Sequence, residues 1–153
     1  MDSTANLNSE IINFKQYIKT NNAVFINILN DLEKLSGKAK HFLKSTLTKD
    51  DRIDNQLLEL NQFQTHGFAW FETYRIGLRE TYNWYSRLSD QNKDSEIDAS
   101  ITIFSFAEYL TQMSNGIMMS QSEIVRPRDL GLNDDDFKFI KDSYNKLIKL
   151  ENE

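Results

Sequence analysis

The chain has no cysteine, one proline, five glycines and two histidines in 153 residues. Without cysteine there is no disulfide, no thiol nucleophile and no thiolate-held zinc. Scarce proline and glycine leave few natural breaks, which favours long helices. No apolar run approaches the ~20 residues of a membrane-spanning helix. The N-terminus, MDSTANLNSE, lacks the basic start and apolar stretch of a secretory leader. A soluble cytoplasmic protein is the expectation. The net charge of −5 argues against nucleic acid as a partner, because phosphate binding needs clustered cations. What is present, 39% hydrophobic and 27% charged residues, suits one packed domain over residues 1–153 and is too apolar for a disordered chain.

The apolar spacing is helical throughout. After a polar, flexible tail at 1–8, gaps of three and four connect Ile11, Phe14, Ile18, Phe25, Ile28, Leu32, Leu35, Ala39 and Phe42, a first helix over about 9–45. Asn21, Asn22 and Gly37 are its weak points. Unbent, it would be a rod of roughly 55 Å. Thr48 with Asp51 reads as a capping-box-like start for a second helix reaching about Ser89. Its core stripe is Ile53, Leu57, Leu60, Phe63, Gly67, Phe71, Tyr74, Leu78, Tyr82 and Tyr85. An adjoining flank carries His66, Trp70, Thr73, Gly77, Thr81, Trp84 and Leu88. That flank suits either a helix central in a bundle or a subunit or domain interface, which also favours Trp.

A third helix spans about 95–114, with one stripe of Ile97, Ile101, Phe104 and Thr111 and another of Ile103, Phe106, Leu110 and Met113. Asn115-Gly116 reads as a left-handed helix stop. An ordered loop follows over 115–132. Asn133 can cap a fourth helix, with Asp134, Asp135 and Asp136 complementing its dipole and Phe137, Ile140, Tyr144, Leu147 and Ile148 forming its stripe. The expected fold is all-α, an antiparallel four-helix bundle of two long helices followed by two shorter ones. The shorter pair covers only part of the long hairpin, so the hairpin bends back or packs on another chain, as a homodimer would.

No constellation for catalysis stands out. Glu-x-x-His pairs for a di-iron site are absent, as are a nucleophile elbow and a phosphate-cradling glycine loop. No catalytic or metal-ligating residue is therefore assigned. His66 beside Trp70 has no second ligand at suitable spacing and reads as a packed or hydrogen-bonded histidine. The loop offers Met119, Gln121, Glu123, Arg126, Arg128 and Asp129, with Pro127 forcing Arg126 extended and Ile124, Val125 and Leu130 able to pin it to the core. It is long for a helix–helix connection, and it reads either as a plain connector or as a docking surface. The run His41-Phe42-Leu43-Lys44-Ser45 resembles the histidine phosphotransfer signature H-x-L-K-G, with Ser45 in place of glycine. That resemblance would make His41 a phosphoacceptor; otherwise it is an exposed helix histidine beside a lysine.

A longer resemblance runs through the loop. Glu108, Tyr109, Leu110, Gln112, Gly116, Ile117, Met119, Ser120, Gln121, Glu123, Ile124, Arg126, Pro127, Asp129, Leu130, Gly131 and Leu132 match the pattern E-Y-L-x-Q-x-x-x-G-I-x-M-S-Q-x-E-I-x-R-P-x-D-L-G-L. Upstream, His66, Ala69, Trp70, Thr73 and Tyr74 match H-x-x-A-W-x-x-T-Y, and Leu78 and Trp84 follow in kind. Over about 66–132 the chain thus resembles the N-terminal helical extension of acyl-CoA dehydrogenases of the methylsuccinyl-CoA dehydrogenase type. Asn115, Met118 and Ser122 stand where that family has Gly, Pro and Gly.

The resemblance implies place rather than chemistry. In the family, FAD, the thioester pocket and the carboxylate base lie in downstream domains, and this chain ends at Glu153 before them. It implies a non-catalytic accessory domain that binds no cofactor itself and packs against acyl-CoA dehydrogenase catalytic domains. The chain would be an extension cut from a longer enzyme or a separately encoded relative. Trp70 and Trp84 are the candidate packing residues, and Arg126 the candidate polar contact, anchoring the loop through Glu123 or Asp129 or meeting an anionic group on the enzyme body. The other readings are phosphotransfer through His41 and a free-standing, self-associating helical protein.

Overall fold

Asn13 opens the first helix by accepting a hydrogen bond from the Gln16 backbone N–H at 2.7 Å. The computed structural model describes residues 13–140 and 142. The expected tail at 1–8, Ser9 to Ile12 of the first helix, and Tyr144, Leu147 and Ile148 of the fourth lie outside the described residues.

Helix α1 spans Phe14–Leu47, and its backbone departs from helical angles at Asn21 (φ −105°, ψ 17°). There the Asn21 Nδ2 donates to the Tyr17 carbonyl at 3.0 Å, a side chain competing with the backbone, as asparagine does. Of the weak points in the sequence, Asn21 kinks, while Asn22 and Gly37 stay helical.

The second long helix does not begin at Thr48. Thr48 ends α1, its hydroxyl donating to the Lys44 carbonyl at 2.7 Å. Two short strands follow, β1 (Thr48–Lys49) and β2 (Arg52–Ile53), paired antiparallel with Lys49 opposite Arg52. Asp50 and Asp51 make the turn at φ 53° and 58°. Positive φ at both central residues is the primed geometry that matches strand twist, and aspartate tolerates it. The cap is instead Asp54, whose carboxylate accepts from the N–H groups of Gln56 and Leu57. It starts a short helix α2 (Asn55–Leu60), which breaks at Asn61 before α3 (Gln62–Asp90). Two residues of the expected core stripe are consequently outside: Ile53 is 68% and Leu60 79% exposed.

Helix α4 (Glu96–Asn115) starts with a complete capping box between Ser95 and Asp98. Of its two stripes, Ile103, Phe106, Leu110 and Met113 face the core, while Ile97, Ile101 and Phe104 are exposed at 69%, 47% and 51%. The α3–α4 connection is tied back to α1: Lys15 Nζ lies 3.2 Å from the Asp94 carboxylate, whose side chain is only 8% exposed, and donates to the Asp94 carbonyl at 2.9 Å. The Tyr85 hydroxyl donates to the same carboxylate at 3.3 Å. Burial, and then the Asp94 charge, push the Tyr85 phenol up to about 12, so it stays a donor.

The core sits where α1, α3 and α4 pack on one another. Phe25 of α1 meets Phe106 of α4 edge-on at 5.0 Å and stacks with Tyr82 of α3 at 6.2 Å. After the loop, a 3-10 turn (Asp134–Phe137) leads to helical backbone at 138–140, with Phe137 and Ile140 buried. The described chain is mostly helical, with two tiny antiparallel hairpins.

Candidate interaction site

The loop after α4 is built by its backbone pattern. Gly116 donates its N–H to the Gln112 carbonyl at 2.7 Å, ending the helix. Its backbone (φ 154°, ψ 128°) is not the left-handed stop expected from Asn115-Gly116. The chain instead leaves in an extended direction that feeds a strand. That strand, β3 (Ile117–Met118), pairs antiparallel with β4 (Ile124–Val125), Ile117 opposite Val125 and Met118 opposite Ile124. Side chains alternate across a strand. Ile117 and Val125 therefore point in, both 2% exposed, while Met118 (63%) and Ile124 (39%) point out. Ile124, expected to pin the loop, is on its outer side.

Two glycines let the loop seat closely. A Cβ on Gly67 of α3 would stand 2.4 Å from a methyl of Val125, so β4 lies directly on the helix backbone. Gly131, at φ 70°, reverses the chain after the 3-10 turn Pro127–Leu130, and a Cβ there would strike the Phe42 ring of α1 at 2.4 Å. Leu130 and Leu132 on either side are buried.

Arg126 is extended (φ −104°, ψ 159°), as its position before proline requires. Its backbone N–H donates to the Asp129 carboxylate at 2.8 Å. The Asp129 anchor is therefore made to the main chain, and no ion pair joins its carboxylate to the Arg126 guanidinium. The Arg126 side chain is exposed and forms no ion pair with another described residue, Glu123 included. Gln121 and Glu123 are exposed at the hairpin tip, and Met119 is half-buried against the core.

Beside the hairpin, the α3 flank continues as an aromatic ladder. Trp70 donates its Nε1–H to His66 Nε2 at 3.0 Å and meets Tyr74 edge-on at 6.2 Å. Tyr74 stacks on Tyr109 of α4 at 4.6 Å and donates to Gln112 Oε1 at 2.8 Å, and Gln112 donates on to Glu108. Burial, then Tyr109 and Glu108, raise the Tyr74 phenol above its ordinary range, which keeps it a proton donor. Tyr109 and Gln112 were not singled out from the sequence as site residues, although Glu108 and Gln112 at i,i+4 carried the signal of a helix-face hydrogen bond.

The structure does not unite every candidate. Trp70 adjoins the hairpin, but Trp84 is half-buried about 21 Å further along α3. His41 is exposed on α1, beside the Phe42–Gly131 contact. Among the described residues no group of three ligating side chains could hold a metal, and no helix is long and apolar enough to cross a membrane. What the site offers is stacking, hydrogen bonding and a guanidinium without an ion pair among the described residues.

No protein-family model matches the chain. Over 104 residues it is 36% identical to the (2S)-methylsuccinyl-CoA dehydrogenase of Cereibacter sphaeroides. The match takes in 68% of this chain and 19% of that protein, so the chain spans about a fifth of the length of the curated relative it matches. The chain is a partial homologue of an acyl-CoA dehydrogenase.

Proposed function

We propose that this chain is the non-catalytic, N-terminal or accessory helical region of an acyl-CoA dehydrogenase-like flavoenzyme, packing against catalytic domains or subunits that hold FAD. One observation carries the reading. Of the family-like residues, Trp70, Tyr74 and Tyr109 form one ladder across α3 and α4, His66 at its end shares a cleft with Glu123 of the loop, and Arg126 in the same loop is exposed and forms no ion pair with another described residue. Half-buried aromatics and an unspent arginine are the residue types that dominate protein interfaces. The partial match to a much longer dehydrogenase gives the partner its class. No step of the chemistry is assigned to this chain.

The test is a pull-down with the whole chain as bait, reading the visible spectrum of the eluate and identifying its bands. The expected result is a yellow eluate holding a flavin-bearing acyl-CoA dehydrogenase chain, with retention falling at least about tenfold for Arg126→Ala or Trp70→Ala variants whose circular dichroism is unchanged. A second reading, self-association, is favoured by the exposed Ile97, Ile101 and Phe104 on α4. A colourless eluate of bait alone, with a dimer by sedimentation, would replace the first reading with this one.

A further inference from the structure

Asn115-Gly116 is the only asparagine–glycine step in the chain. Such a step is labile in water, because a glycine nitrogen has no side chain beside it to hinder its attack on the asparagine side-chain carbonyl. A C–N bond forms, ammonia leaves, and water then opens the five-membered imide to aspartate or isoaspartate. Asn115 is exposed at the end of α4. Its partner glycine is required by the fold: φ is 154°, and a Cβ would stand 2.6 Å from a methyl of Ile124.

We propose that Asn115 is a deamidation site guarded by the fold, and that its conversion to an acid loosens the hairpin at the end of α4. The guard consists of hydrogen bonds on both reacting groups. Helical side chains lean toward the N-terminus. The Asn115 amide does so, its Nδ2 donating to the Thr111 carbonyl at 2.9 Å and to Ser114 Oγ at 3.3 Å. The electrophilic carbon is thereby held back along the helix. The Gly116 nitrogen lies ahead of it, with its N–H given to the Gln112 carbonyl at 2.7 Å. Cyclisation needs that N–H to lose its proton and the side chain to swing forward, so the bonds on both groups have to break first. The reaction therefore waits on opening of the last turn of α4, and helix ends open more readily than the core.

Reclosing the helix does not undo the conversion. An ionised carboxyl only accepts hydrogen bonds, so the acid product loses both Asn115 donations and faces the Thr111 carbonyl. It also places a negative charge at the negative end of α4. The isoaspartate product goes further and adds a methylene to the main chain between α4 and β3. That strand sets Ile117 opposite Val125, which seats on Gly67. The site stands on these contacts and does not depend on which protein packs against the surface.

The test ages the whole protein at mildly alkaline pH, folded and in urea, and locates the products by peptide mass spectrometry. In urea Asn115 should convert ahead of every other asparagine. In the folded protein it should convert at least about tenfold more slowly. Hydrogen exchange reads the consequence at two amides, Gly116, which donates to the Gln112 carbonyl, and Met119, which donates to the Glu123 carbonyl. Both should exchange at least about threefold faster in Asn115→Asp, and in aged acidic protein separated by charge. Asn115→Ser, which keeps a donor but has no amide to lose, should show no such acceleration on ageing. Equal conversion rates folded and in urea, another asparagine converting first in urea, exchange unchanged in the aged acidic protein, or acceleration in aged Asn115→Ser would each overturn the proposal.

Discussion

Gly67 and Gly77 lie on the same helix, and replacing each by alanine has opposite consequences. At Gly67 the added methyl would stand 2.4 Å from Val125, inside contact distance of a buried side chain held by the loop. The loop has to lift or the helix to shift, and overpacking of this kind costs about 1–3 kcal/mol. At Gly77 nothing lies within 4 Å of the added methyl. There alanine removes the backbone-entropy cost of a mid-helix glycine and should stabilise by up to about 1 kcal/mol. Urea melts of Gly67→Ala and Gly77→Ala check both signs. Hydrogen exchange at the Val125 and Arg126 amides should speed up in the first variant only. The sequence marks both residues only as glycines at helical spacing. It cannot say which one a strand crosses, because that neighbour arrives from far along the chain.

At the scale of elements, short polar signals decided where several pieces start, though α3 begins after Asn61 with no side-chain cap. Asn13, Asp54, Ser95 and Asn133 all cap as their chemistry prescribes, and Pro127 sets Arg126. Thr48 with Asp51 carried a similar signal but was overruled by the turn at Asp50 and Asp51, which returns the chain within two residues. A carboxylate at a cap and at a left-handed turn looks the same in sequence. Asp136 shows an element joined to another by charge. Its carboxylate accepts from the Asn133 N–H at 2.8 Å and pairs with Lys38 of α1 at 2.6 Å. Partial burial pushes this carboxyl up, but the Lys38 and Asn133 hydrogen bonds and the Lys38 charge outweigh it and hold it below the usual range. A carboxyl more acidic in the folded than in the unfolded chain adds stability that is fully present above its unfolded value of about 3.9 and is lost as pH falls through the folded value. Asp136→Asn should therefore cost under about 1 kcal/mol at neutral pH, since the pair is partly solvated, and the cost should vanish in acid, once the pH has fallen through the folded value. Denaturant titrations at both pH values measure it.

For the whole molecule the junction of Phe25, Tyr82 and Phe106 matters most, because it joins the three long helices at one point. Phe106 is fully buried. Phe106→Ala should cost about 3–5 kcal/mol and lower the melting of all three helices together, as a single transition by far-UV and near-UV circular dichroism. Separate transitions would mean that α4 is an independent unit.

The sequence by itself determined the helical class, most of the buried face of α1 and of the body of α3, the cap at Asn133 and the resemblance of the loop to a dehydrogenase segment. These follow from spacing and side-chain chemistry within a few residues. Only the tertiary structure decided which of the two α4 stripes is buried, since Ile101 and Ile103 are equally apolar and only the position of α1 and α3 separates them. It also decided that Ile53 and Leu60 lie outside, that Ile124 faces out while Val125 faces in, and that His66 accepts from Trp70. Each of these depends on where a partner sits in space, through contacts of a few ångströms between residues that can be far apart in the chain.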